Sequence, residues 1–258
     1  MPVITLTSDW NINSFYTSAV RGHITCLCPD ARIIDISHNI DAFNVPQAAF
    51  VLRNSFRHFP AGSIHIIAVN SEPDKEKHPV IVKYRDHYFI SSDNGIYGLL
   101  MDSDPEMVIR IETNIESTFP EMDIFVPIAC KIANGENIEN LGIKTSDLYQ
   151  HSNFLPTFSE NLINGRVIFI DSYSNAISNI TPDLFEKAGS NKPFDILFKS
   201  NANKINKINK KYVETSEGEL LAIINSVGLL EIAMYKGRLA ELTGLSIGDV
   251  IRIKFYDR

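Results

Sequence analysis

The chain of 258 residues predicts an α/β N-terminal domain with a mainly parallel sheet over residues 1–150, followed by a smaller C-terminal β-barrel domain over residues 165–258. Three observations carry this expectation. Domains commonly run to roughly 100–200 residues, and a chain of this size buries about 75% of its unfolded surface. Short β-branched runs alternate with helical spacing through the first half of the chain, and that alternation then gives way to short strands without long helices.

Val3 to Thr7 (VITLT) reads as the first strand. Ser14 to Leu27 spirals, with Phe15, Ala19, Val20 and Ile24 at helical spacing. Arg32 to Ile36 is a second strand, Val45 to Phe56 a second helix and Ser63 to Val69 a third strand. Strand-helix-strand-helix-strand order implies parallel strands with helices on the sheet faces. Val80 to Tyr84 and His87 to Ile90, separated by Arg85-Asp86, predict a hairpin. Asp123 to Asn134 predicts a helix with a carboxylate cap at its start and Gly135 past its end.

Between Asn137 and Asn164 the periodicity fades, and the linker is expected there. Beyond it, strands are expected at Arg166–Asp171, Ala176–Ile180, Asp195–Lys199, Leu220–Asn225, Leu229–Met234 and Val250–Phe255, with one helix at Lys236–Thr243. The lysine-rich stretch 199–211 (KSNANKINKINKK) reads as a solvated loop between strands. Asn alternates with Lys there, without the interleaved aromatics of a nucleic-acid surface.

Composition narrows the function classes. With 44% hydrophobic and 21% charged residues, disorder is excluded. A net charge of -7 gives no attraction to a phosphate backbone, so no nucleic-acid partner is expected. Three cysteines, Cys26, Cys28 and Cys130, cannot form a disulfide framework and suit a reducing compartment. With no leader-like start and no apolar run of membrane-spanning length, a cytoplasmic protein without a membrane partner is expected. The seven histidines are scattered and no H-E-x-x-H or paired C-x-x-C occurs, so no metal is expected. Neither G-x-G-x-x-G after the first strand, nor a G-x-x-x-x-G-K-[ST] loop, nor a G-x-S-x-G elbow is present.

Open parallel sheets bind ligands at the carboxyl ends of their strands. Here those ends carry Ser8-Asp9-Trp10, Asp35 to His38 with Phe43 beyond, and Asn70-Ser71-Glu72. A carboxylate such as Asp9 can accept hydrogen bonds from both hydroxyls of a ribose, and Phe43 or Trp10 offers a stacking face. The competing readings make Asp9 a helix cap and Phe43 a core residue.

Several segments together resemble the S-adenosylmethionine hydroxide adenosyltransferase family, whose relatives include fluorinating and chlorinating enzymes. They are ITLTSDW (4–10), IIDISHNIDAFNVPQAAFVL (33–52), FPAGSIHIIAV (59–69), SSDNGIYGLL (91–100), ESTFPEMDIFVPIACKIANG (116–135), VIFIDSYSNAISNI (167–180) and INSVGLLEIAMYKGRLAELTGLSIGDVIRI (224–253). The resemblance implies a homotrimer with its ligand between one subunit's N-domain and its neighbour's C-domain. It also implies a nucleoside ligand, S-adenosylmethionine as substrate or ligand, and no separate cofactor. By the same resemblance Asp9 holds the ribose hydroxyls and Phe43 packs on the ligand. Asp171 and Asn175 match a D-x-F-G-N motif in which Ser174 replaces the glycine, and Ser226 and Glu231 match the segment edging the adenine and the amino acid. For Asn175 and Ser226, turn formation beside strands is the alternative.

The reaction implied is hydrolysis at the ribose 5′ carbon, giving adenosine and methionine. Three positions depart from the Asp, Arg and His of hydrolytic members: Asn70, Lys77 and Pro120. Asn70 orients a water without accepting its proton, and Lys77 keeps a charge without the planar fork of Arg. The rebuilt water site is therefore expected near Asn70, Glu72 and Lys77, with His78 a further candidate base and Glu121 beside the lost histidine. Asn11 replaces a glycine in the first loop, and Tyr235 stands where Asn commonly follows the E-I-A segment. A non-catalytic protein that binds S-adenosylmethionine or adenosine is the alternative function. Halide transfer is disfavoured, because a short turn at Arg85-Asp86 stands where the fluorinating relatives carry a long inserted loop.

Overall fold

A computed structural model of the chain describes residues 1–149, 155–189 and 192–256. Internal contacts divide the chain into two compact units, Met1–Ser152 and Asn153–Arg258.

The first unit contains β1 (Val3–Ser8), α1 (Phe15–Leu27), β2 (Arg32–Ser37), α2 (Val45–Arg53), β3 (Ile64–Ala68), β4 (Pro79–Tyr84), β5 (His87–Ser92), α3 (Ile96–Leu100), β6 (Met107–Arg110), α4 (Val126–Ala133) and β7 (Ile143–Thr145). They build a seven-stranded sheet in the order β2-β1-β3-β5-β4-β6-β7. Its ladder is parallel from β2 through β1 and β3 to β5. It is antiparallel from β5 through β4 and β6 to β7. The sheet is thus mixed, which corrects the expectation of a mainly parallel one. The cause is the Arg85-Asp86 turn, where φ values of 50° and 61° give the left-handed pair of a tight hairpin and send the chain back antiparallel.

Burial explains the elements. β3 is buried along its whole length, as suits a central strand covered on both faces. α1 starts where the Ser14 side chain accepts the Tyr16 N–H, and it buries Thr17, Val20 and Ile24. α2 starts at Asn44, which accepts from Gln47 N, and buries Val45, Ala48, Ala49 and Leu52. Each such fully buried Val, Ile or Leu contributes about 1.5–3 kcal/mol. The second helix ends at Arg53, short of the expected Phe56, which begins a separate 3₁₀ turn.

The expected start of α4 also needs correction. Asp123 does not cap it; the chain first makes a π-helical turn over Glu121–Phe125, closed by Val126 N–H to the Glu121 carbonyl. Pro127 has no N–H for the carbonyl four residues back, so the ladder widens there. At the far end Glu136 N bonds Lys131 O and Gly135 N bonds Ile132 O, a closure that needs the left-handed φ of 89° at Gly135. The expected linker carries more structure than a linker should. Ile138–Asn140 forms a 3₁₀ turn, and β7 extends the first sheet.

The second unit comprises β8 (Thr157–Ser159), β9 (Leu162–Ile170), β10 (Ala176–Ser178), α5 (Pro182–Gly189), β11 (Phe194–Phe198), β12 (Ser200–Ile205), β13 (Ile208–Asn209), β14 (Leu220–Ile224), β15 (Leu230–Met234), α6 (Leu239–Thr243) and β16 (Val250–Phe255). The strands form a nine-stranded sheet in the order β12-β11-β16-β9-β10-β15-β14-β13, with β8 pairing β9. All its ladders are antiparallel except that between β13 and β14. Among the described residues no ladder joins β12 to β13.

Two readings of this unit are corrected. The lysine-rich stretch is not a loop: β12 and β13 run through it, with Ile205 buried and Ile208 half-buried while Lys204 and Lys207 face out. A sheet edge accepts strands with few apolar residues. A second helix, α5, was also missed. Thr181 Oγ1 caps it by accepting Leu184 N at 3.3 Å, and Pro182 opens it.

Candidate functional site

The loops after β1, β2 and β3 bring part of the predicted site together. Asp9 follows β1 directly, and its Oδ2 accepts the backbone N–H of Phe43 at 2.8 Å. No hydrogen bond to Oδ1 occurs among the described residues, so one carboxylate oxygen is fixed and the other is open. Ser14, not Asp9, caps α1. Phe43 is no core residue either, being 73% exposed. It also holds a φ of 64°, a region in which a bulky side chain is a genuine outlier, and such strain collects at functional sites.

Asn11 and Asn70 occupy the same left-handed region, with φ of 70° and 47°. Asn is the side chain that best tolerates it, which accounts for Asn11 in a glycine-type position. Asn94, after β5, holds the third loop by donating Nδ2 to the carbonyls of Val69 and Asn70, both at 2.9 Å. The Ser71 carbonyl accepts the Ser92 hydroxyl at 2.5 Å. The ends of β3 and β5 are therefore tied together beneath Asn70.

Glu72 is exposed on this loop. The Lys77 ammonium pairs with Asp74 at 3.4 Å, and Asp74 Oδ1 accepts both Glu76 N and Lys77 N. Lys77 is thus bound up with its own loop rather than with Asn70. His78 is exposed.

The acid most tightly built into this region is Glu121. It is 4% exposed and accepts a hydrogen bond from the Ser71 hydroxyl, itself 5% exposed. Burial raises its carboxyl pKa, the Ser71 bond opposes this, and the nearby charges of Asp9 and Glu72 raise it further. Aromatic packing joins the segment before Glu121 to the loop after β1 and to α1: Trp10 meets Phe119 edge-on at 5.4 Å, and Tyr16 meets Phe119 at 5.0 Å. Only Pro120, a residue type without acid or base, gave a reason to look here; Glu121 beside it passed as a neighbour.

His38 is buried, with Ser8 Oγ at 2.7 Å from its Nδ1 and Asp35 Oδ1 at 3.2 Å from its Nε2. His65, behind the site, lies between Thr5 Oγ1 at 2.7 Å and His87 Nδ1 at 3.1 Å; burial, with His87 beside it, lowers its pKa to about 3. His151 lies outside the described residues. Cys26 is exposed, whereas Cys28 and Cys130 are buried in the core. No group of three His, Cys, Asp or Glu side chains is placed to hold a metal among the described residues.

In the second unit Asp171 and Asn175 form one closed loop. Asp171 Oδ1 accepts Tyr173 N at 2.9 Å and Asn175 N at 2.8 Å, and Oδ2 accepts Asn175 Nδ2 at 3.1 Å. Ser174 takes the left-handed conformation there, with φ 68°. Glu231, on β15, is 3% exposed and accepts from the Tyr212 hydroxyl at 2.7 Å and from Asn225 Nδ2 at 3.2 Å. Burial raises its pKa and the neighbouring Asp171 adds to the effect. Tyr212 was not anticipated. Ser226 is exposed in the 225–229 turn, which Asn225 Oδ1 closes by accepting Val227 N and Leu229 N.

Two clefts of about 320 Å³, one lined by residues such as Tyr88 and Ile138 and the other by residues such as Phe198 and Arg252, share no residue with either cluster. In the first unit, acids and amides gather at the strand ends of an α/β sheet beside an exposed strained ring, the place where α/β proteins of this class bind small ligands.

Comparison with known proteins makes this specific. Residues 4–142 match the SAM hydroxide adenosyltransferase N-terminal domain and residues 165–252 the corresponding C-terminal domain. The chain belongs to the SAM hydroxide adenosyltransferase family. Relatives include proteins named (R)-S-adenosyl-L-methionine hydrolase from Methanocaldococcus jannaschii, 27% identical over 98% of this chain and 96% of that protein, and from Salinispora tropica, 24% identical over 98% and 97%. Among solved structures, an uncharacterized conserved protein from Thermotoga maritima superposes with a TM-score of 0.87 at 26% identity, covering 98% of this chain and 99% of that one. Among the described residues no helix is long and apolar enough to cross a membrane.

Proposed function

We propose that the protein hydrolyses S-adenosylmethionine to adenosine and methionine, water attacking the ribose 5′ carbon. The observation that carries this reading is the Asp9 carboxylate, fixed through Oδ2 to the Phe43 N–H with Oδ1 open, in a chain whose residues 4–142 and 165–252 match this family. Oδ1 accepts from the ribose hydroxyls and the Phe43 ring covers the ligand. The leaving group is a sulfonium, so no proton or metal is needed to expel methionine, and no cofactor is invoked. The protein's work is to position the water and take its proton. Asn70, held by Asn94, orients that water, with Glu72 and the Lys77 charge in the same loop. Asp171, Asn175, Ser226 and Glu231 serve the methionine and adenine portions.

In this reading the C-terminal sheet curls as a barrel. The protein works in the cytoplasm as a homotrimer, one copy's first unit meeting the second unit of a neighbour across the ligand. The net charge of -7 suits a cationic sulfonium substrate. The test is incubation of purified protein with the (S) and (R) sulfonium epimers, with chromatography for adenosine and methionine and a parallel calorimetric titration. Product formation supports the proposal. Heat of binding without product refutes hydrolysis and leaves a binding protein, and light scattering at a monomer mass refutes the trimer.

A further inference from the structure

The hydrolase reading leaves the proton of the attacking water without an acceptor, because Asn70 offers an amide. Glu72 and His78 are exposed to solvent, and the Lys77 ammonium is paired with Asp74. Glu121 differs from all of these. It is almost wholly buried, lies on a π-helical turn, a device frequent at functional sites, and receives the hydroxyl proton of Ser71. Ser71 follows Asn70 directly, and its backbone is fixed by Ser92. The Trp10–Phe119 contact brings the segment holding Glu121 against the segment holding Asp9.

We infer that Ser71 and Glu121 form the proton relay of this enzyme, the carboxylate of Glu121 taking the proton of the attacking water through the Ser71 hydroxyl. This rests on the hydrolase reading and supplies its missing base. As the water oxygen bonds to the 5′ carbon, the carbon–sulfur bond breaks and its electron pair stays on sulfur as neutral methionine. One water proton passes to Ser71 Oγ while the Ser71 proton passes to Glu121, which releases it to solvent after adenosine leaves. Charge balances: a sulfonium cation and water give two neutral products and one proton.

The charged groups whose fields reach Glu121 are Asp9 and Glu72. The elements packed against its turn carry these titratable groups: Tyr16, Arg21, His23 and Cys26 on α1, Cys130 and Lys131 on α4, His65 on β3, and His87 and Tyr88 on β5. An acid limb of the rate profile that disappears in Glu121→Gln, with every one of these groups still in place, reports Glu121.

The test uses the full chain with S-adenosylmethionine. Glu121→Gln should lower kcat about 10²- to 10³-fold with KM changed less than about threefold, and should abolish the acid limb. Ser71→Ala should lower kcat at least about tenfold and move the limb to higher pH, because the bond that holds the carboxyl down is gone. The double variant should be no slower than the slower single one, as for groups acting as a unit. Should Glu121→Gln fold poorly, Glu121→Ala supplemented with formate serves; recovery of rate supports the relay and absence of recovery overturns it. A Glu121→Gln enzyme with wild-type kcat and acid limb overturns the relay alone. A wild-type protein that yields no adenosine overturns the hydrolase reading and the relay with it.

Discussion

Phe43 offers a test in which stability and ligand affinity separate. Its φ of 64° puts a bulky residue in the left-handed region, while its ring is 73% exposed and packs little. The left-handed conformation costs a residue with a Cβ about 1–2 kcal/mol. At an ordinary position glycine is less stable than alanine by roughly 0.5–1 kcal/mol through backbone entropy. Here the strain term outweighs the entropy term, so Phe43→Gly should be more stable than Phe43→Ala by about 0.5–1 kcal/mol, a reversal of the usual sign. For a unit of this size that is about 2 °C in Tm. Both variants keep the N–H that Asp9 accepts, yet both lose the ring. Affinity for S-adenosylmethionine should therefore fall about two- to tenfold in each, the worth of an aromatic contact. Urea denaturation and calorimetry supply the two readouts. An alanine variant at least as stable as the glycine variant would refute the strained backbone, and undiminished affinity would remove Phe43 from the site.

Three further outcomes are expected. Asp9→Ala should abolish measurable binding of S-adenosylmethionine in calorimetry; unaltered affinity would mean the carboxylate serves only to anchor Phe43. Because the pKa of Glu121 is raised in the fold, its contribution to stability is present at low pH and is lost as pH rises through that value. Glu121→Gln should accordingly be more stable than wild type at pH 7 in denaturant titrations, with the difference vanishing below about pH 4.5. His65 shows the opposite behaviour, with its pKa lowered to about 3. Stability should decline as pH falls from about 6.5 towards 3, and His65→Asn should flatten that slope.

How far the sequence could be read depended on whether structure was local. Continuous apolar β-branched runs such as Ile64–Ala68 announced buried strands, and Arg85-Asp86 between two such runs announced the hairpin. β12 and β13 escaped notice because an edge strand tolerates Asn and Lys at most positions, leaving isoleucines as the only signal. α5 could have been found from Thr181-Pro182-Asp183, a cap followed by proline and an acid. The start of α4 was misplaced because the effect of Pro127 on the preceding turn depends on how that turn is packed.

At the site, residue types alone pointed to Asp9 and Phe43. Their direct bond joins residues on loops after different strands, and no spacing encodes it. Glu121 was the hardest to recognise, because a glutamate next to Met122 and Asp123 reads as surface until the fold buries it on Ser71, far away in sequence. The pairing of Lys77 with Asp74, by contrast, is local, three residues apart, and spacing alone could have suggested it.

The central claim is attack by water at the ribose 5′ carbon. Turnover of S-adenosylmethionine in ¹⁸O-labelled water, with mass spectrometry of both products, tests it most directly. The account predicts one ¹⁸O in the 5′ hydroxyl of adenosine and none in methionine. Adenosine lacking the label, or bound substrate recovered intact after prolonged incubation, would contradict it.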